Sequence, residues 1–145
     1  LLACSLLAAG AHTIGVAHCN EVTGRLYNFP GSPNGVDPTL DPIYAAQLQA
    51  QCPPNPDPST TVDLDPITPF VMDNNYYRNG VTSRAVLASD TAIFEDFQTQ
   101  FASNLNSNDD LLWEQKFGDA LVHLSTLNLK PVNGGEVRIN CRMVN

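Results

Sequence analysis

His12 stands in the stretch A-G-A-H-T-I-G-V-A-H-C, residues 9–19, among small and apolar neighbours. An imidazole in such a setting needs a hydrogen-bond partner, or a metal on one ring nitrogen and an acceptor on the other. Ala9, Ala11 and Gly15 leave room for a flat ligand to come close. No H-E-x-x-H pattern is present and His18 lies six residues on, so a zinc-hydrolase helix is not supported. His18 reads as a surface or supporting residue. His123, near the apolar face of a downstream helix, reads as structural or solvent-facing.

A second group is hard oxygen. In L-D-P-I-T-P-F-V-M-D, Asp65, Thr68, Val71 and Asp73 place two carboxylates, a hydroxyl and free backbone carbonyls on a proline-stiffened loop. Such a set suits Ca²⁺, although the central glycine and terminal glutamate of an EF-hand loop are missing. The plainer reading is a solvated acidic loop. Third, Asp90 in V-L-A-S-D-T-A-I-F sits in apolar surroundings where a helix begins. Aspartate there commonly caps a helix. The sharper reading is a buried carboxylate with a specific partner, and a metal-bound imidazole is one such partner.

The elements that must position these groups are mostly helices. At 145 residues the chain has the size of one ordinary domain. Its formal net charge is −8, with no Lys/Arg cluster, which makes nucleic acid and anionic membranes poor partners. No apolar run approaches the length of a membrane span. The N-terminal L-L-A-C-S-L-L-A-A-G-A lacks a starting Met and a basic region, and reads as the interior of a longer chain.

Residues 5–18 suit a short helix carrying His12. Asp41 and Pro42 are a cap and a first helical position, and Cys52-Pro53-Pro54 ends that helix. A further helix is entered at Asp73. Phe94, Phe97 and Phe101 recur at helical spacing, as do Trp113, Phe117, Leu121 (with Ala120), Leu124 and Leu127 from about Asp109. The aromatics of that last helix read as core. A turn at Gly134-Gly135 precedes an extended or irregular tail.

The intervening region holds ten of the eleven prolines, from Pro30 to Pro69, and no Lys or Arg between Arg25 and Arg78. It is a flexible acidic linker unless something holds it down. Cys19 and Cys52 bracket its start. A bridge between them would close about 33 residues and contribute roughly 3–4 kcal/mol on the chain-entropy model. Two buried thiols are the alternative, and a disulfide would imply a secretory compartment.

Taken together, A-G-A-H-T-I-G-V-A-H-C, R-L-Y-N-F, D-P-T-L-D-P-I-Y, L-D-P-I-T-P, M-D-N-N-Y-Y, L-A-S-D and I-N-C-R-M-V-N occur in an order that resembles the C-terminal half of the class III secretory plant haem peroxidases. The resemblance spans nearly the whole chain. It implies a mainly α-helical fold for residues 1–145, the proximal-haem half, with long loops and at most a short β-hairpin. It implies haem b and Ca²⁺ as cofactors, with His12 as the proximal iron ligand and Asp90 accepting from its other nitrogen. Thr13, Asp65, Thr68, the Val71 carbonyl and Asp73 become calcium ligands by the same resemblance. Cys19 and Cys52 match the family's disulfide in this half. Cys141 matches a cysteine whose usual partner lies upstream, and Cys4 has no counterpart.

The function implied by the resemblance is that of a secreted, extracellular or vacuolar peroxidase reducing hydrogen peroxide and oxidising small aromatic reductants such as phenols. The family's distal histidine and arginine belong to its N-terminal half, and no histidine here matches that role, so a complementary distal half is an implied partner. Ala9 stands where a serine is common, and Asn20 and Glu21 differ from residues some members carry near the substrate entrance. The alternative from another class is a truncated, non-catalytic, secreted calcium-binding module; an inert helical domain around a buried histidine is a third.

Overall fold

The computed structural model of the chain describes residues 2–131 and 134–145, and side chains from residue 6 onward. The expectation about Cys4 lies outside the described side chains. Among the described residues the order is α1 (Leu2–Ala9), a 3₁₀ turn (Gly10–Thr13), β1 (Val16–His18), α2 (Cys19–Leu26), α3 (Pro42–Gln51), β2 (Thr61–Asp63), α4 (Asn75–Val81), α5 (Ala88–Glu95), α6 (Phe97–Asn108) and α7 (Asp110–Thr126). The protein is mainly α, as expected. No described helix is long and apolar enough to cross a membrane.

The expectation of one helix over 5–18 is corrected. The helix stops at Ala9, tightens into the 3₁₀ turn that carries His12, and turns extended at Ile14, ahead of Gly15, whose φ of +97° lies in the left-handed region. The chain then enters β1, which pairs antiparallel with β2: Val16 opposite Asp63, Ala17 opposite Val62, His18 opposite Thr61. Leu64 N–H donates to Gly15 O at 3.0 Å and Cys19 N–H to Thr60 O at 2.9 Å, which extends the pairing at both ends. This is a ribbon between distant segments, with residues 19–60 between its strands, and it draws the proline-rich loop against the His12 turn.

Around the ribbon is one apolar core: Ala17, Cys19, Val22, Leu26, Leu40, Tyr44, Leu48, Cys52, Val62 and Val86. Cys19 and Cys52 form a disulfide with a Cα–Cα distance of 5.3 Å, and both are fully buried. The predicted α3 start holds, with Asp41 accepting from Tyr44 N–H at 2.8 Å and Pro42 at the first position. A second core gathers Leu6, Tyr76, Tyr77, Ala85, Phe94, Trp113 and Phe117 from α1, α4, α5 and α7. Gly10 makes this packing feasible, because a Cβ there would lie 2.8 Å from Trp113 Nε1.

Arg25 joins the two cores. It is 4% exposed, yet its guanidinium donates from Nε to Asp37 Oδ2 at 2.8 Å, from Nη1 to Ala85 O and Val86 O, and from Nη2 to the Thr39 and Thr91 hydroxyls. A buried charge is tolerable only when paired this fully. The result fixes residues 85–91, the approach to α5.

Helix spacing misreads two places. The phenylalanine series is split at Asp96, which ends α5 and caps α6 through Gln98 N–H, so Phe94 is buried while Phe97 and Phe101 are 91% and 78% exposed. In α7, Trp113, Phe117 and Ala120 are buried, but Leu121, Leu124 and Leu127 are exposed because no described element covers that end of the face. Helix α4 begins at Asn75 with Asn74 at the cap, and Asp73 instead accepts from Asn75 N–H at 2.8 Å. After α7 the tail is irregular and exposed, and Cys141 is a free, exposed thiol.

Replacing Cys19 and Cys52 together by serine should cost about 3–4 kcal/mol of folding stability, since a loop of this length is released in the unfolded chain. Urea denaturation reads this directly; an unchanged midpoint would show that the bridge does not restrain the loop.

Candidate metal and cofactor centre

The 3₁₀ turn presents His12 at the edge of the second core, its side chain 40% exposed. Its Nδ1 lies 3.0 Å from Asp90 Oδ1 and 3.1 Å from Oδ2. Asp90 sits in the first turn of α5 but does not cap it; the cap position is Leu87, and Asp90 is 3% exposed and turned inward. The capping reading of Asp90 is thereby corrected. A carboxylate accepts only, so Nδ1 carries a proton, and in the neutral ring Nε2 keeps its lone pair. Among the described residues Nε2 has no hydrogen-bond partner.

The hydrogen bond to Asp90 holds His12 protonated to a higher pH than usual; partial burial opposes this and the carboxylate charge adds to it. Tyr76 completes the group. Its hydroxyl donates to Asp90 Oδ1 at 3.1 Å, and its ring meets the imidazole edge-on, with centroids 6.1 Å apart and planes at 77°. Sequence reasoning missed Tyr76 as a site residue, although M-D-N-N-Y-Y contains it.

One residue along, Thr13 is fully buried and belongs to the oxygen set. Its hydroxyl lies 3.4 Å from Asp65 Oδ2 and 3.1 Å from Asp73 Oδ1. The Thr68 hydroxyl lies 3.1 Å from Asp65 Oδ2 and 2.8 Å from Asp73 Oδ2. Each hydroxyl has one proton, so two protons serve four carboxylate contacts. Asp65 is fully buried and further held by Ile67 N–H and Asn79 Nδ2. Asn75 Nδ2 donates to the Thr68 hydroxyl and to Asp73 Oδ2. Two carboxylates and two hydroxyls held this close make an oxygen-rich cluster of the kind that suits a hard cation.

The ribbon and α4 therefore bring Thr13, Asp65, Thr68 and Asp73 together. Val71 is placed differently: its side chain is half exposed and its N–H turns back to Thr68 O at 3.0 Å, with no described contact to the four through its own carbonyl. Among the described residues no three His, Cys, Asp or Glu side chains gather around one point. His18 lies apart, with Nδ1 2.9 Å from Pro58 O. His123 is exposed on α7 beside an apolar groove of about 450 Å³ lined also by Leu6, Leu7 and Ala120.

A histidine held by a carboxylate through one ring nitrogen, with the other nitrogen turned away, is an arrangement that metal and cofactor sites use. Comparison with known families makes this specific: the model of the family described as Peroxidase matches residues 4–109, and the chain belongs to that family. Its relatives are plant class III peroxidases. "Peroxidase 5" of Vitis vinifera is 38% identical over 138 residues, covering 94% of this chain and 42% of the relative. "Peroxidase 51" of Arabidopsis thaliana is 37% identical over 137 residues, covering 94% and 41%. "Peroxidase 23" of Arabidopsis thaliana is 38% identical over 141 residues, covering 94% and 40%. The chain thus spans about two fifths of the length of the curated relatives it matches, in their C-terminal part.

A raised folded-state value for His12 means that its pairing stabilises the chain fully below the ordinary imidazole value of 6.5, and that this contribution is lost as pH rises through the raised value. In the haem-free chain, the thermal midpoint of the wild type should fall across that window relative to His12→Gln. Parallel pH profiles for the two would contradict the pairing.

Proposed function

We propose that this chain is the proximal part of a secreted haem peroxidase, with His12 Nε2 as the iron ligand and haem b as the cofactor. The observation that carries the reading is the Asp90–His12 hydrogen bond, which leaves Nε2 without a partner among the described residues on a half-exposed ring. The donor set fits the group: a neutral imidazole whose far N–H is held by a carboxylate is a strongly donating axial ligand. Ala9 and Ala11, small residues beside the ring, pack against the second core.

When bound, haem supplies the redox chemistry by which hydrogen peroxide is reduced and small aromatic donors, phenols among them, are oxidised. The chain's own part is to hold and tune. Asp90 fixes the imidazole tautomer and its orientation, and by drawing on the Nδ1 proton it enriches the ring in electron density. That favours the ferric state.

The second cofactor in this reading is Ca²⁺, held by Thr13, Asp65, Thr68, Asp73 and the Val71 carbonyl. Because Thr13 is bonded directly to His12, such an ion ties the iron ligand to the acidic loop. The peroxide-activating histidine and arginine come from a complementary distal half, since none of the three histidines here can take that place. Secretion to the cell wall or to the vacuole agrees with the buried Cys19–Cys52 disulfide.

Absorption of the natively purified protein tests the proposal. A Soret band near ~400 nm is expected, shifting on addition of hydrogen peroxide and perturbed by calcium chelation. A protein that responds to chelation but has no such band would be the calcium-binding module instead, and the peroxidase reading would fail.

A further inference from the structure

Asp90 Oδ1 accepts from two donors at once: His12 Nδ1 at 3.0 Å and the Tyr76 hydroxyl at 3.1 Å. From this geometry we infer that Tyr76 is a positioning residue that sets how strongly Asp90 pulls on the His12 proton. The inference rests on the reading of His12 as an iron ligand and extends it to a group outside the ligand pair.

The physical basis is competition for charge. Every hydrogen bond donated to a carboxylate disperses its negative charge and weakens it as an acceptor for the next donor. With the phenol in place, Oδ1 is a poorer acceptor for Nδ1–H, and the imidazole keeps more of its proton. Without it, the same carboxylate pulls harder. Tyr76 therefore acts as a restraint on the electron donation that Asp90 provides.

The phenol is built to remain a donor. Tyr76 is 5% exposed, and burial first, then the Asp90 charge, push its ionisation far above the ordinary tyrosine range. Its ring is clamped between Tyr77, edge-on at 5.0 Å, and Phe94, tilted at 5.3 Å. The Phe94 ring reaches that position only because residue 80 is glycine; a Cβ there would fall 2.0 Å from it. The hydroxyl is thus aimed at Asp90 by packing from α4 and α5.

Tyr76→Phe keeps the clamped ring and removes only the donor. In the haem-loaded protein the ferric/ferrous midpoint should become more negative, and the ferrous iron–histidine stretching band should move to higher frequency. Tyr77→Phe is the control: it also deletes a buried phenol, one that donates to Leu6 O at 2.9 Å, without touching Asp90. It should lower stability and leave both readouts at their wild-type values.

A second measurement is independent of haem. In the unloaded chain the His12 Nδ1–H proton resonance should move downfield in Tyr76→Phe and stay in place in Tyr77→Phe. An unmoved resonance, or a midpoint that is unchanged or more positive, overturns the inference. A chain that takes up no haem defeats the ligand reading instead, and the resonance still decides the role of Tyr76.

Discussion

A buried carboxylate is tolerated only when its oxygens are paired, and much of this structure can be understood as the means of pairing Asp90. Its partners come from two places far apart in sequence, the 3₁₀ turn with His12 and helix α4 with Tyr76. Neither would arrive without a restraint of its own. Gly15 and the β1–β2 ribbon set the turn, and the Arg25 network holds the approach to α5 from the other side. One guanidinium with its donors spread over Asp37, two carbonyls and two hydroxyls rigidifies a long segment at little desolvation cost per bond.

The oxygen set is coupled to the same carboxylate through covalent and packing continuity. Thr13 follows His12 directly, and Asp73 precedes α4, whose second residue is Tyr76. Any ion that draws Thr13, Asp65, Thr68 and Asp73 together therefore acts on both ends of the His12–Asp90–Tyr76 group. The proline-rich segment between the cores is ordered for the same reason: it is held by the disulfide at one end and the ribbon and Asp65 at the other.

Much of this is legible in the residues. Asp41-Pro42 announces α3 because capping and proline geometry are local, and Cys19 and Cys52 bracket a loop whose closure they then enforce. The pairing of His12 with Asp90 is reached only through resemblance, since no local signal joins residues 78 positions apart. The geometry set by tertiary contacts is what stays hidden. Helical spacing across 94–101 conceals the break at Asp96, and the apolar face of α7 continues past the elements able to cover it. Tyr76 is invisible because a tyrosine donating into a core looks, in sequence, like any packed aromatic.

On the proposed reading, Asp90 makes His12 an electron-rich iron ligand. The most direct test is the ferric/ferrous midpoint potential of the haem-loaded protein in wild type and Asp90→Asn, with binding verified in both. The neutral amide cannot draw on the Nδ1 proton as the carboxylate does, so the variant should be easier to reduce, with a more positive midpoint. An identical midpoint in the two proteins would mean that Asp90 pairs with His12 for packing alone, and would contradict its proposed electronic role.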